Sequence, residues 1–282
     1  MIERSSMGAI AFVAALLMTT AAAQAFDDAK YPDLKGAWNR AVAGQPRFDP
    51  SKSRAEQNPP LTAEYRVIFD ASVKDIAAGG QGDHPVARCL AWGMPGMMNL
   101  YGTMEVVVTP DITYLLIDDG NDSHRRIFTD GRDFSATAEP SFVGYSVGKW
   151  IDEDGDGKYD VLEVETRNFK GPRASDNSGL VFHPDNQSVI KERIYLDKTD
   201  RNILHDVLTV IDSALTRPWT VIKDYKRDPN PKPIWREDVC SEGNGQVFIG
   251  KDNYMLSADG YLMPAKKNQA PPDLRYFNQA KR

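Results

Sequence analysis

Beyond position 103 apolar and polar residues alternate in short runs, the period-two pattern of strands with one face buried. The alternation predicts strands over 103–109, 112–118, 123–129, 142–150, 161–168, 188–196, 202–211 and 217–225. Turn-forming residues separate them, among them Pro110-Asp111, Asp119-Gly120-Asn121-Asp122 and Asp130-Gly131. A run of strands in such quick succession predicts a mainly β fold, an antiparallel meander closing into a lipocalin-like barrel, with a two-sheet β-sandwich as the alternative.

Only one stretch has helical periodicity. In 62–78, Tyr65, Ile68, Phe69, Val73 and Ile76 form a single apolar stripe; Thr62 is placed to cap its start, and Gly79-Gly80 to end it. The preceding residues, 26–60, are rich in Pro, Asp, Lys and Gln and read as an extended N-terminal arm docked through Trp38. In 89–101, Trp92, Met94, Met97, Met98 and Tyr101 are interrupted by Gly and Pro, which precludes a regular helix. Such a pliable apolar loop either lines a ligand cavity or plugs one end of a barrel. The longest strandless insertion, 170–187, is placed to cover a barrel mouth, and the chain from about 227 reads as a loose tail. Residues 61–282 are thus expected to form a single β-rich domain.

Residues 1–25 have a charged start, an apolar run and an Ala23-Gln24-Ala25 ending, the pattern of a signal peptide for export to the periplasm or beyond. No later segment is long and apolar enough to insert in a membrane. With 34 basic and 40 acidic residues, a net charge of −6 and no long basic run, the composition argues against nucleic acid as a partner and points to a small-molecule ligand. In an oxidising compartment the two cysteines, Cys89 and Cys240, are expected to form a disulfide, worth up to about 5 kcal/mol for so long a loop.

The densest chemistry lies in 152–163. Asp152, Asp154, Asp156, Asp160 and Glu163 occupy loop positions 1, 3, 5, 9 and 12, Gly157 occupies position 6, and Lys158 offers a backbone carbonyl at position 7. Hard oxygen ligands at this spacing predict a Ca²⁺ site. The flanks are strand-like rather than helical, so the loop resembles the DxDGDGxxD hairpin sites of FG-GAP repeats more than an EF-hand; the expected ligands are Asp152, Asp154, Asp156, Asp160 and the Lys158 carbonyl, with Glu163 at position 12, where a strand leaves at Val161, completing the set.

Ile127-Phe128-Thr129-Asp130-Gly131-Arg132, Gly144-Tyr145-Ser146-Val147-Gly148-Lys149-Trp150, Leu162-Glu163-Val164-Glu165-Thr166, Lys191-Glu192-Arg193 and Arg217-Pro218-Trp219 together resemble a large, mostly uncharacterised family of exported bacterial proteins. Its members typically read RRI-x-x-DGR followed by GHSVG-x-WEGDTLVVETTGF. Tyr145 replaces that family's histidine here, and the longer acidic loop replaces its WEGD turn. The resemblance implies a secreted β fold and no particular reaction.

The letters of Gly144-Tyr145-Ser146-Val147-Gly148 match a nucleophile elbow, yet they lack the strand-to-helix context that motif requires. Two readings of function follow. The first is an exported, calcium-stabilised barrel that binds a small apolar or aromatic molecule, with Trp92, Met94, Met97, Met98 and Tyr101 as ligand contacts. The second is a periplasmic enzyme, a lyase, isomerase or hydrolase, in which His124 with Asp118 or Glu105, and Arg126 beside them, performs acid/base work from one inward face.

Overall fold

The computed structural model describes residues 26–44, 46–53, 56–80, 82, 89–118, 124–175, 180, 182–235, 245–249, 252–257 and 260–272. The expected signal peptide, the 119–123 turn and Cys240 lie outside the described residues.

Nine strands close on themselves: β1 (Ala37–Arg40), β2 (Met104–Val108), β3 (Ile112–Ile117), β4 (His124–Phe128), β5 (Tyr145–Ile151), β6 (Val161–Arg167), β7 (Val189–Leu196), β8 (Ile203–Ile211) and β9 (Trp219–Arg227). Each pairs with the next, and β1 also pairs with β9, so a barrel and not an open sandwich satisfies every edge. Eight of these strands follow the sequence pattern. The ninth, β1, comes from the segment expected to be an extended arm: Trp38 pairs with Met104 on one side and Arg227 on the other. Its indole is fully buried and donates to the Leu34 carbonyl at 3.0 Å.

The barrel also departs from a pure meander, since β4 and β5 run parallel. The intervening residues, 129–144, are long enough to return the chain to the other end of the barrel, which a tight hairpin is not. Gly144 ends this crossover at φ +72°, where a Cβ would lie 2.7 Å from the Arg167 carbonyl oxygen and 2.5 Å from the Phe169 ring. Gly144→Ala therefore combines backbone strain with overpacking and is expected to destabilise by about 2 kcal/mol or more, read as a lowered midpoint in urea.

Helix α1 (Ala63–Ala77) starts at Thr62, whose hydroxyl accepts from the Tyr65 amide. It buries Tyr65 and Phe69, with Ile68 and Val73 packed on the core behind them. The tail is more ordered than its composition predicts: β10 (Gln246–Ile249), β11 (Asp252–Leu256) and β12 (Leu262–Pro264) form a separate three-stranded sheet. Among the described residues no helix is long and apolar enough to cross a membrane.

One end of the barrel is filled from within. Met94, Met97, Met98 and Leu100 are almost fully buried, and Met97 and Met98 sit on a 3₁₀ turn, Gly96–Asn99. The insertion after β6 packs on the same segment: Arg173 donates to the Met94 carbonyl at 2.8 Å and to Ser188 Oγ at 2.6 Å, and Asn99 donates to the Ser175 carbonyl at 2.8 Å. The Arg173 guanidinium lies 4.0 Å over the Phe169 ring, and burial pulls its pKa down to about 10.

Candidate functional site

In a barrel of this size alternate residues of every strand point inward and fill the interior. Most inward positions here are apolar, as in Leu204, Leu208 and Val210 on β8 or Trp219 and Val221 on β9. Four charged side chains share that parity. Arg125 on β4, Glu192 on β7, Asp206 on β8 and Lys223 on β9 are 1, 2, 0 and 3% exposed.

Arg125 is the hub of this cluster. Its guanidinium grips Glu192 through two hydrogen bonds, 2.8 and 2.5 Å, and also donates to Ser146 Oγ at 3.1 Å and Thr166 Oγ1 at 2.8 Å. A fork of planar donors facing a carboxylate is the strongest pairing available to two buried charges. Lys223 donates to the Phe48 carbonyl and to Asn99 Oδ1, both at 2.7 Å. Tyr225, two residues further along β9, donates to the Met98 carbonyl at 2.6 Å. The charged interior is thus tied to the plug.

Asp206 differs from the rest. It lies directly opposite Lys223 across the β8–β9 ladder, yet neither carboxyl oxygen has a hydrogen-bond partner among the described residues. Burial, reinforced by the Glu192 carboxylate, pushes its pKa well above the ordinary range; Lys223 and Arg125 pull the other way without prevailing. Burial likewise raises the Tyr225 phenol well above its usual value.

A cleft reaches Lys223 from outside, while Arg125, Glu192 and Asp206 are not part of its lining. It is lined by the apolar Val42, Pro50 and Met98, by Arg40, Arg47 and Lys223, and by Asn99, Asp224 and Tyr225. Asp224, its one acidic residue, is held by His205 Nδ1 at 2.7 Å. The free space is about 20 Å³, enough for a single water. A roomier groove of about 660 Å³ crosses the outer face of β5 to β8, where Glu163 pairs with Arg193 at 3.1 Å and Glu165 with Lys191 at 3.5 Å.

The residues expected to carry acid/base chemistry do not share one inward face. On β4 the buried positions are Arg125 and Ile127, which places His124 and Arg126 on the outer face, while Asp118 is buried and Glu105 half-buried. The inward arginine is therefore Arg125, one residue from the expected Arg126. Of the expected ligand contacts, Trp92, Met94, Met97 and Met98 are core residues of the plug; Trp92 stacks on Tyr101 at 4.4 Å, and of these five side chains Met98 alone lines the cleft.

The acidic loop between β5 and β6 brings Asp152, Asp154 and Asp156 together, with one carboxylate oxygen from each within 4.8 Å of the others. Oxygens that share a Ca²⁺ ion at 2.3–2.6 Å lie within about 5 Å of one another, so these three fit the ion. Gly155 and Gly157 adopt φ +77° and +88°, and the Gly155 and Gly157 amides donate to Asp152 at 2.7 and 2.9 Å. Lys158 follows with its amide on Asp156 Oδ1 at 2.8 Å, and Asp160 accepts from the Glu153 amide at 2.9 Å. Glu163 stands on the outer face of β6, its carboxylate on Arg193, away from the aspartate group. Cys89 is not a free thiol.

No family model, no curated protein and no solved structure matches the chain.

Proposed function

We propose that this chain is an exported, calcium-stabilised barrel that binds a small molecule at its plugged end, in the cleft above Lys223. The observation that carries the reading is that this cleft leads from the surface to a lysine inside the barrel. Its lining sets Val42, Pro50 and Met98 beside Arg40, Arg47 and Lys223, which suits an apolar or aromatic body bearing an anionic group. With about 20 Å³ free the cleft holds one water, so its lining must give way for a larger ligand. A Cys89–Cys240 disulfide fastens the beginning of the plug to the tail.

Benzoate is the simplest probe with both features. Calorimetric titration is expected to show benzoate binding while benzyl alcohol, which lacks the charge, binds at least about tenfold more weakly. Equal affinities, or no binding of either, would overturn the reading.

Calcium acts on stability and performs no chemistry. It holds the β5–β6 hairpin by neutralising three carboxylates that otherwise repel one another. Ten-fold saturation raises stability by about 1.4 kcal/mol, so the Tm is expected to rise from EDTA to millimolar Ca²⁺ in the wild type and to stay unchanged in Asp154→Ala. An identical shift in the variant would mean that the ion binds elsewhere.

A further inference from the structure

A cavity of about 570 Å³ lies between the N-terminal arm and β2. Its apolar walls are Tyr31, Pro32 and Leu34 of the arm and Val106, Val107 and Val108 of the strand.

The strand pairing accounts for this gap. The β1–β2 ladder joins only Trp38 with Met104 and Ala37 with Glu105; one residue earlier Gly36 turns at φ +88°, and the chain leaves the ladder. The arm is then fastened at both ends to groups other than β2. Arg227, at the end of β9, donates to the Asp33 carbonyl at 2.7 Å and to the Lys35 carbonyl, while the Trp38 indole holds the Leu34 carbonyl. Nearer the start of the arm, the Tyr159 amide donates to the Lys30 carbonyl at 2.7 Å, and the Tyr31 ring packs on Tyr159 and Trp150 at 5.0 and 5.4 Å. Held this way, the arm leaves a space against Val106, Val107 and Val108, and Val107 is 42% exposed.

The lining decides the occupant. Cavities of about 300–1,000 Å³ with mainly apolar walls are the usual size of small-molecule sites, and the mouths of β-barrels are a common place for them. The charges around this one are already matched: Lys35 pairs with Asp28 at 2.6 Å, and Arg227 stands 3.9 Å from Asp33. A charged ligand would lose hydration against three valines and find no unmatched partner. A neutral apolar ligand gains by leaving water. The cleft over Lys223, with Arg40 and Arg47 in its lining, has the opposite preference and shares no residue with this cavity.

We propose that the space between the arm and β2 is a second binding site, which takes a neutral apolar or aromatic molecule.

N-phenyl-1-naphthylamine, a neutral probe whose fluorescence rises in apolar surroundings, tests the site by titration into the full-length protein. One saturable site is expected, and excess benzoate should not displace the probe. Val107→Asp should weaken probe binding about tenfold or more, because a charge then lines the cavity. Ile222→Asp, an equally polar change at an exposed residue of β9 outside the cavity, should bind the probe as the wild type does. Urea unfolding of both variants shows that they are folded. No saturable binding to the wild type, displacement by benzoate, or equal affinity in the two variants would overturn the site.

Discussion

Replacing Arg125 by methionine is expected to destabilise the protein by about 3–5 kcal/mol, the usual consequence of leaving a buried charge without its partner. Glu192 would lose both hydrogen bonds from the guanidinium, and Ser146 and Thr166 would lose their shared donor. Two carboxyl groups, Glu192 and Asp206, would then face each other with Lys223 as the remaining nearby cation. For a domain of this size each kcal/mol lowers Tm by about 2–4 °C, so the loss is large on a thermal scan. Arg125→Met combined with Glu192→Met should recover most of it, because an apolar pair of similar volume removes the stranded charge. A single variant within about 1 kcal/mol of the wild type would mean that the pair is hydrated rather than sealed in the barrel.

Asp206→Asn should do the opposite, and its effect should depend on pH. The folded state raises the Asp206 pKa above its unfolded value, chiefly through burial, so the native protein holds a proton that the unfolded chain releases near pH 4. Native stability therefore falls as pH rises from about 4 through the folded pKa, at about 1.4 kcal/mol per unit of that difference. Asparagine keeps the shape and cannot ionise. The variant should match the wild type near pH 4 and pull ahead as pH rises toward 8, read by urea unfolding at each pH. A gap that does not change with pH would show that Asp206 titrates alike in both states.

Much of the fold is legible in the chain because strand alternation and turn residues are local. The helix is legible in the same way: Thr62, the Tyr65–Phe69 stripe and Gly79 mark its two ends and its buried face. What was not legible depends on distant pairing. Ala37–Arg40 is too short to register as a strand, and only the Met104 and Arg227 ladders make it one. The tail sheet is likewise assembled by pairing between Gln246–Ile249 and Asp252–Leu256.

The site shows the same division. The acidic loop announces itself by spacing, and Asp152, Asp154 and Asp156 do converge; Glu163 follows the strand and leaves with it. For β4, a count based on the parity of Phe128 puts His124 and Arg126 inside, whereas Ile127 sets the buried parity and brings in Arg125. One residue of parity exchanges every inward side chain for an outward one. A usable signal was present: Asp206 shares its parity with Leu204, Leu208 and Val210, and Lys223 shares its own with Trp219, Val221 and Tyr225. A charge on the apolar parity of a barrel strand is either a satisfied partner or a site, and the hydrogen bonds that separate the two belong to the folded barrel.

The proposed ligand, a small acid, binds in the cleft over Lys223 and not in the larger groove on the outer face of the barrel. Benzoate titrated into Lys223→Met and into Lys191→Met, with circular dichroism confirming that both are folded, tests it most directly. Lys223 lines the cleft and Lys191 the outer groove. Lys223→Met is expected to lose about tenfold or more in affinity, as befits a lost charge-assisted hydrogen bond, while Lys191→Met binds as the wild type does. Loss of affinity in Lys191→Met with Lys223→Met unaffected would contradict it and move the ligand to the outer groove.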